Sequence, residues 1–293
     1  MARWHVLVNQ DAGRSSTPIA TVSEALERAG VDSEVEAPGT AVEAEAAVAQ
    51  AVRSGATHLA MVGGDGSVNL AANVVLNMDV EPPILGVLPT GTGCDLLRTF
   101  GIPQDLDGAA RHLATDTVYP IDVATIEGSW GTRYFVNVAQ VGVGAAAVES
   151  SSRLTRRLGA ARYPLAFAAR LPGFPRTTVT VTSERRTYEC DALAVIMANA
   201  QFFAGGWNIA PKATLVDGVL DMQVINCAKT RAPALVPKII RGNHLTDRAV
   251  RRFSAARFDI ETAVPWPVEA DGDYLGNTPV SGKVVPAALR LKI

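Results

Sequence analysis

The sequence predicts two domains in series. Residues 1–120 form an α/β N-terminal domain on a parallel sheet, and residues 121–293 a mostly antiparallel β-sandwich C-terminal domain. Short apolar runs alternate with stripes of helical period up to about residue 115. Beyond Val118 the stripes thin out, and strand patterns punctuated by turn residues take over. A chain of 293 residues, 48% of them apolar, can bury a sizeable core in one large or two medium domains.

Trp4 to Val8 is a short apolar run that reads as a buried strand. Val22, Ala25, Leu26 and Ala29 fall at helical spacing, and Gly30 stops that helix. Ala44, Ala47, Val48, Ala51 and Val52 make a second stripe, closed by Gly55. A strand over His58 to Val62, a helix over Val68 to Val75, a strand over Ile84 to Leu88 and a helix over Leu106 to Leu113 follow. This βαβαβ order calls for a parallel sheet with helices on its faces. Strands are then expected over 121–126, 133–143, 177–183, 190–198, 219–225, 253–261, 267–270 and 289–293, with helices over 150–157, 164–171 and 234–241.

Composition narrows the function. Lys and Arg number 27 against 29 Asp and Glu, so no global basic surface for nucleic acid is expected. The mean hydropathy is +0.15. No apolar run approaches the roughly 18–20 residues of a membrane span. Val6 to Val8 is too short for a signal-peptide core. The cysteines Cys94, Cys190 and Cys227 lack metal-ligand spacing, and a reducing cytoplasm is the expected compartment.

Gly63-Gly64-Asp65-Gly66-Ser67 lies directly between a strand and a helix, where glycines admit a close ligand and helix-start amides favour an anion. The plain alternative is a tight turn. The segment has neither the Lys-Ser/Thr pair of a P-loop nor the spaced dinucleotide fingerprint. Pro89-Thr90-Gly91-Thr92-Gly93-Cys94-Asp95 repeats the arrangement after the next strand, and Asn9 to Arg14 follows the first. All three segments belong at the carboxyl edge of a parallel sheet, where Asp65 and Asp95 could hold a nucleotide and its Mg²⁺.

Gly63 to Asn69, Pro89 to Asp95 and Gly101-Ile102-Pro103 resemble the diacylglycerol kinase catalytic-domain family. That family takes in bacterial soluble lipid kinases and is related to the sphingosine kinases. The resemblance runs on through Tyr134 to Ala139, Ala210-Pro211-Lys212, Val216-Asp217-Gly218 and Glu269-Ala270-Asp271-Gly272-Asp273, and so covers nearly the whole chain in order. The first loop alone would also suit NAD kinases, whose companion Asn-Glu motif is absent.

The resemblance implies an ATP- and Mg²⁺-dependent lipid kinase, with the nucleotide-binding α/β domain followed by a β-rich lipid-substrate domain. Diacylglycerol is the leading substrate and phosphatidic acid the product. By resemblance, Gly63, Gly64, Asp65, Gly66, Ser67 and Asn69 would wrap the ATP phosphates, with Asn9, Gly13, Gly91, Thr92 and Gly93 around the nucleotide. Asp65, Asp95 and Asp273 would organise the catalytic Mg²⁺. By resemblance, Asp271 would stand beside the incoming hydroxyl as base, with Asp273 as the second candidate, and a plain hairpin turn is the alternative there. Asp217, with the carbonyls of Thr214 and Val219, would hold a structural Mg²⁺, or else form an ordinary β-turn. Phosphoryl transfer asks for positioning and charge neutralisation, so an unshifted carboxylate suffices as base.

Some positions depart from the family pattern. Cys94 stands where Asn is usual, Leu70 where Glu is usual, Ser67 for Thr and Asp273 for Glu. Thr40 is the nearest hydroxyl to an expected nucleotide-contacting Thr. These departures motivate an alternative, a weakly catalytic lipid-binding or regulatory paralogue; another is a kinase for a long-chain base or glycolipid.

Between Ser150 and Ser183 there is no acidic residue, while Arg153, Arg156, Arg157, Arg162, Arg170 and Arg176 stand among Leu154, Leu158, Phe167, Leu171 and Phe174. Such a segment could dock on an anionic membrane, at roughly 1 kcal/mol per basic residue, or be a solvated face over an ordinary core. The expected setting is therefore cytoplasmic with peripheral membrane contact. Oligomeric state is open between monomer and homodimer.

Overall fold

The computed structural model describes residues 3–9, 17–90 and 94–292. The chain forms two compact units, one of Met1–Ile121 with Ala287–Ile293, the other of Asp122–Pro286.

In the first unit, β1 (Trp4–Val8), β2 (Ser33–Glu36), β3 (His58–Gly63) and β4 (Ile84–Pro89) run parallel in the order β2-β1-β3-β4. Arg290 and Leu291, at the chain's end, add a further parallel partner beside β4. The helices are α1 (Ile19–Arg28), α2 (Ala41–Arg53), α3 (Asp65–Leu76), α4 (Asp95–Thr99) and α5 (Leu106–Leu113). Thr40 caps α2 by accepting the Glu43 amide at 3.2 Å, and Glu43 Oε2 accepts the Gly39 amide at 2.7 Å. Thr40 thus serves the helix start. Val6, Val8, Leu26, Val62 and Leu88 are fully buried between sheet and helices. Each such side chain contributes about 1.5–3 kcal/mol by leaving water.

The second unit takes in β5 (Val118–Gly128) from Asp122 on and β6 (Gly131–Phe135), which form a hairpin, then β7 (Val138–Gly142). After α6 (Val143–Ser152), a 3-10 turn (Arg156–Ala161) and α7 (Arg162–Arg170) come β8 (Thr177–Ser183), β9 (Thr187–Ala192), β10 (Ala194–Ala198) and β11 (Leu220–Ile225). The unit closes with α8 (Ala232–Ile240), β12 (Val250–Ala255), β13 (Arg257–Thr262), β14 (Pro267–Ala270), β15 (Asp273–Asn277) and the first half of β16 (Val280–Lys292), whose last residues belong to the first unit. One sheet is antiparallel in the order β12-β11-β10-β7-β14-β15; in the other, β13 lies between β8 and the first residues of β16, with β9 outermost. Val179, Val181, Phe258 and Ile260 from one sheet share a core with Val141, Val195, Met197 and Met222 from the other, which makes the expected sandwich.

Three differences from the sequence-based expectations have physical causes. Helix α6 starts at Val143, not Ser150, because Gly142 (φ 101°) ends β7 abruptly and Val143–Val148 is buried on every side, which erases the amphipathic period. A Cβ on Gly142 would meet the Leu193 carbonyl at 2.6 Å, so only glycine fits. The runs 133–143, 190–198 and 253–261 are each two elements, joined through Val136-Asn137, Leu193 and Ala256, connections too short to carry a turn signal. Finally, β2 and β15 are short edge strands with too few residues to show a period.

Candidate active site

The glycine segments leave β3 and β4 at the carboxyl edge of the parallel sheet. Gly64, extended at φ −116° and ψ −164°, is the N-cap of α3, so the helix opens at Asp65, three residues before the expected Val68. The segment predicted to wrap phosphates is therefore the first turn of a 12-residue helix, where the helix dipole favours an anion, and the Ser67 and Val68 amides donate to the Gly64 carbonyl at 3.0 and 3.3 Å. Asn9 Nδ2 donates to Ser67 Oγ at 3.0 Å, and the Thr90 amide donates to the Gly63 carbonyl at 3.1 Å. These bonds join the ends of β1, β3 and β4. The predicted residues Gly13, Gly91, Thr92 and Gly93 lie outside the described residues.

The carboxylate of Asp65 gathers donors from the start of α4. Oδ1 accepts the Cys94 thiol at 3.3 Å and the Leu96 amide at 3.1 Å, and Oδ2 accepts the Asp95 amide at 2.9 Å. Asp65 thereby anchors the exit of the second glycine segment to the first. Burial, and then the Asp65 charge, push the Cys94 thiol well above its ordinary value, so it stays neutral and donates. A thiol at this place retains a donor toward Asp65 despite the lost amide. Asp95 is buried and pairs with Arg98 Nε at 3.4 Å. Asn69, also buried, accepts from Asn73 Nδ2 through its carbonyl at 2.9 Å and its side-chain oxygen at 3.1 Å.

In the second unit, the acidic turn is the two-residue loop between β14 and β15. Asp271 (φ 47°) and Gly272 (φ 91°) are both left-handed, the conformation a primed hairpin turn demands and Asp-Gly supplies most readily. Asp271 is half-buried. Its Oδ2 accepts the Val136 amide at 2.7 Å, and its Oδ1 accepts the amides of Asn137 and Val138 at 2.9 and 3.0 Å. The Asp271 amide returns a bond to the Val138 carbonyl at 2.9 Å. Asp273, two residues on, has a side chain 64% exposed, with Arg133 at 3.4 Å. The turn thus presents one carboxylate engaged with backbone and one facing solvent.

Three residues near this turn escaped sequence reasoning. Glu269 is fully buried; its Oε2 accepts the Gly272 amide at 2.9 Å and its Oε1 accepts Gln140 Nε2 at 2.8 Å. Gln140 in turn pairs with the Tyr163 side chain. The available signal was a polar residue inside an apolar strand, Gln140 within Val138–Gly142 and Glu269 between Val268 and Ala270. Burial raises the Glu269 carboxyl to about 8, with the charges of Asp271 and Asp273 adding to the rise against the two hydrogen bonds. The folded protein then holds a proton there that the unfolded chain gives up above about 4.5. Stability from this group is full below that pH and lost as pH rises through 8. Glu269→Gln should therefore flatten the fall in unfolding free energy between pH 5 and 8, which urea titrations across that range would measure.

Asp217 is exposed and closes its own turn, accepting the Val219 amide at 3.3 Å, while Asp122 Oδ2 accepts the Gly218 amide at 2.8 Å. Among the described residues, no group of three or more His, Cys, Asp or Glu side chains gathers around one point. Asp65, Asp95, Asp217 and Asp273 nonetheless offer the hard oxygen donors that Mg²⁺ takes alongside phosphates, carbonyls and water.

A narrow apolar cavity of about 50 Å³ lies in the second unit between α6, α7, α8 and β10. Val143, Phe167, Ile196, Leu235 and Ile239 line it, and Gln140 and Tyr163 are its polar end. Around α7 and α8, Leu158, Leu165 and Ile240 are exposed, together with Arg153, Arg157, Arg170, Lys238 and Arg241. Leu171 and Phe174, expected in the same amphipathic surface, are instead core residues, Phe174 packing on Trp266 at 5.3 Å between ring centres. No helix among the described residues is long and apolar enough to cross a membrane.

Comparison with known proteins places the chain. Residues 3–126 match the diacylglycerol kinase catalytic domain, and residues 137–293 match the YegS C-terminal NAD kinase beta sandwich-like domain. A diacylglycerol kinase of Bacillus subtilis is 27% identical over 95% of this chain and 92% of its own length. One from Mycobacterium tuberculosis is 30% identical over 91% and 86%. The solved structure of a diacylglycerol kinase from Bacillus anthracis superposes with a TM-score of 0.74 at 20% identity, covering 99% of this chain and 96% of that one, which shows a common fold. With both halves matched in order, the chain belongs to the diacylglycerol kinase and YegS-like family and is a lipid kinase.

Proposed function

We propose that this lipid kinase transfers the γ-phosphate of ATP to the hydroxyl of a membrane lipid, diacylglycerol before other lipid alcohols, to give phosphatidic acid. The observation that carries this reading is the second unit's pairing of a solvent-facing carboxylate, Asp273, with an apolar cavity whose polar end, Gln140, bonds to the same acidic turn through Glu269.

Residues at the start of α3 would bind the phosphates, with Asn9, Ser67 and Thr90 shaping that edge. Asp65 would keep the two glycine segments in register. Asp273 would accept the proton of the lipid hydroxyl, since its exposed carboxylate is open to an incoming group, whereas Asp271 is committed to three backbone amides. Asp65 and Asp95 in the first unit, and Asp273 in the second, would each offer a carboxylate to Mg²⁺, which neutralises phosphate charge when bound. Asp217 with the carbonyls of Thr214 and Val219 would hold a second, structural Mg²⁺. The cationic and apolar surface of α7 and α8 supports a peripheral position on an anionic, cytoplasm-facing leaflet.

The test is phosphorylation of diacylglycerols of graded acyl length in mixed micelles, alongside a long-chain base and a glycolipid. Diacylglycerol should give the highest kcat/KM. Val236→Trp, which fills the cavity wall, should lower kcat/KM for long acyl chains by about tenfold and spare short ones. Preference for the long-chain base, or a variant indifferent to acyl length, would refute the substrate assignment.

A further inference from the structure

Resting on that reading, we infer that Glu269 is a positioning residue of the transfer reaction: its buried carboxyl holds the Asp271–Asp273 turn from beneath and ties it, through Gln140, to the polar end of the lipid cavity. Glu269 itself touches neither phosphate nor lipid. It acts through the turn.

The geometry carries the inference. Glu269 faces Gln140 directly across the β14–β7 pair, and the β14–β15 pairing shifts register between Val268 and Glu269, next to the turn. Its two oxygens accept from Gly272 and Gln140, one on the turn itself and one on the strand that lines the cavity. Asp271 grips the same turn from the other side through the amides of Val136, Asn137 and Val138. Asp-Gly adopts the two left-handed conformations of this turn readily, and the partners on either side fix where the turn sits on the sheet. Packing alone does not call for a carboxyl here. Val268 and Ala270, the neighbours in β14, are fully buried and apolar, and an apolar side chain at 269 would avoid the cost of burying a polar group. Retaining the acid keeps Asp273 at a fixed place relative to the cavity that Gln140 and Tyr163 close. Small displacements there are costly, since about 1 Å of misplacement is worth on the order of a hundredfold in rate.

The test compares Glu269→Leu, Glu269→Gln and Gln140→Leu in the full chain. Two readouts are used: diacylglycerol phosphorylation at saturating ATP, and amide hydrogen exchange of residues 271–274. Glu269→Leu should lower kcat between about tenfold and a hundredfold and speed exchange at Gly272, while leaving the KM for ATP within about twofold. Glu269→Gln, which can still accept the Gly272 amide, should restore kcat to within about threefold of the parent. Gln140→Leu should show a smaller loss of the same kind, and it replaces Glu269→Leu if that variant does not fold. Unchanged kcat or unchanged exchange at Gly272 would overturn the inference, as would equal defects in the Leu and Gln variants. If the parent phosphorylates no lipid, the substrate reading falls, and the exchange measurement alone decides whether Glu269 holds the turn.

Discussion

Asp273→Asn should lower kcat for lipid phosphorylation by about 10² to 10⁴-fold and leave the unfolding transition where it was. The first half follows from what an exposed carboxylate at this turn loses as an amide, its proton affinity and its negative charge toward a metal. The second follows from its surroundings. The side chain is 64% exposed and meets Arg133, at 3.4 Å, in an ion pair that solvent screens. Such exposed pairs contribute at most about 1 kcal/mol. Activity assays and thermal melts on the same preparation measure both halves. A kcat within about threefold of the parent would remove Asp273 from the chemistry.

Asp271→Asn is expected to behave differently although it lies two residues away. The carboxylate accepts three backbone amides, those of Val136 and Asn137 between β6 and β7 and that of Val138 at the start of β7. An amide side chain offers one oxygen and turns an N–H₂ toward the remaining donors. Charge-assisted bonds of this kind contribute about 1.5–3 kcal/mol each, and a donor left buried without a partner costs about 1–3 kcal/mol. The variant should therefore lose about 2–4 kcal/mol of stability, which for a chain of this size lowers Tm by roughly 5–15 °C. Its kcat should fall as well, because the same turn carries Asp273. Calorimetry distinguishes the pair: activity loss without a stability loss at 273, both together at 271. A Tm unchanged by Asp271→Asn would rule out the anchoring role.

The contrast between these aspartates shows where reading residues alone runs short. Strands over Trp4–Val8, Thr177–Ser183 and Pro267–Ala270, and the helix over Leu106–Leu113, are plain from local period and bounding turn residues. The first glycine turn is equally local, since Gly63-Gly64 joins a strand directly to a helix and so brings the helix start to the sheet edge. What escapes is long range. Asp65 reads as chemistry, yet its carboxylate partners are the thiol of Cys94 and the amides of Asp95 and Leu96, about thirty residues on. Asp271 is bonded to amides more than 130 residues earlier. No spacing pattern announces such a pair. Helix α6 was hidden for the opposite reason: an element apolar on all sides carries no phase to detect. Glu269 and Gln140 were visible as polar residues within buried strands, but only the cross-strand register shows that they face one another.

Phosphoryl transfer to a membrane lipid can be observed in a single reaction, in which the chain is incubated with γ-labelled ATP, Mg²⁺ and a mixed lipid extract and the labelled species are identified. Label should appear in an organic-phase phospholipid identified as phosphatidic acid, and should be absent when Asp273→Asn replaces the parent. Label found only in water-soluble products, or a lipid label that Asp273→Asn leaves intact, would be incompatible with lipid phosphorylation through this turn.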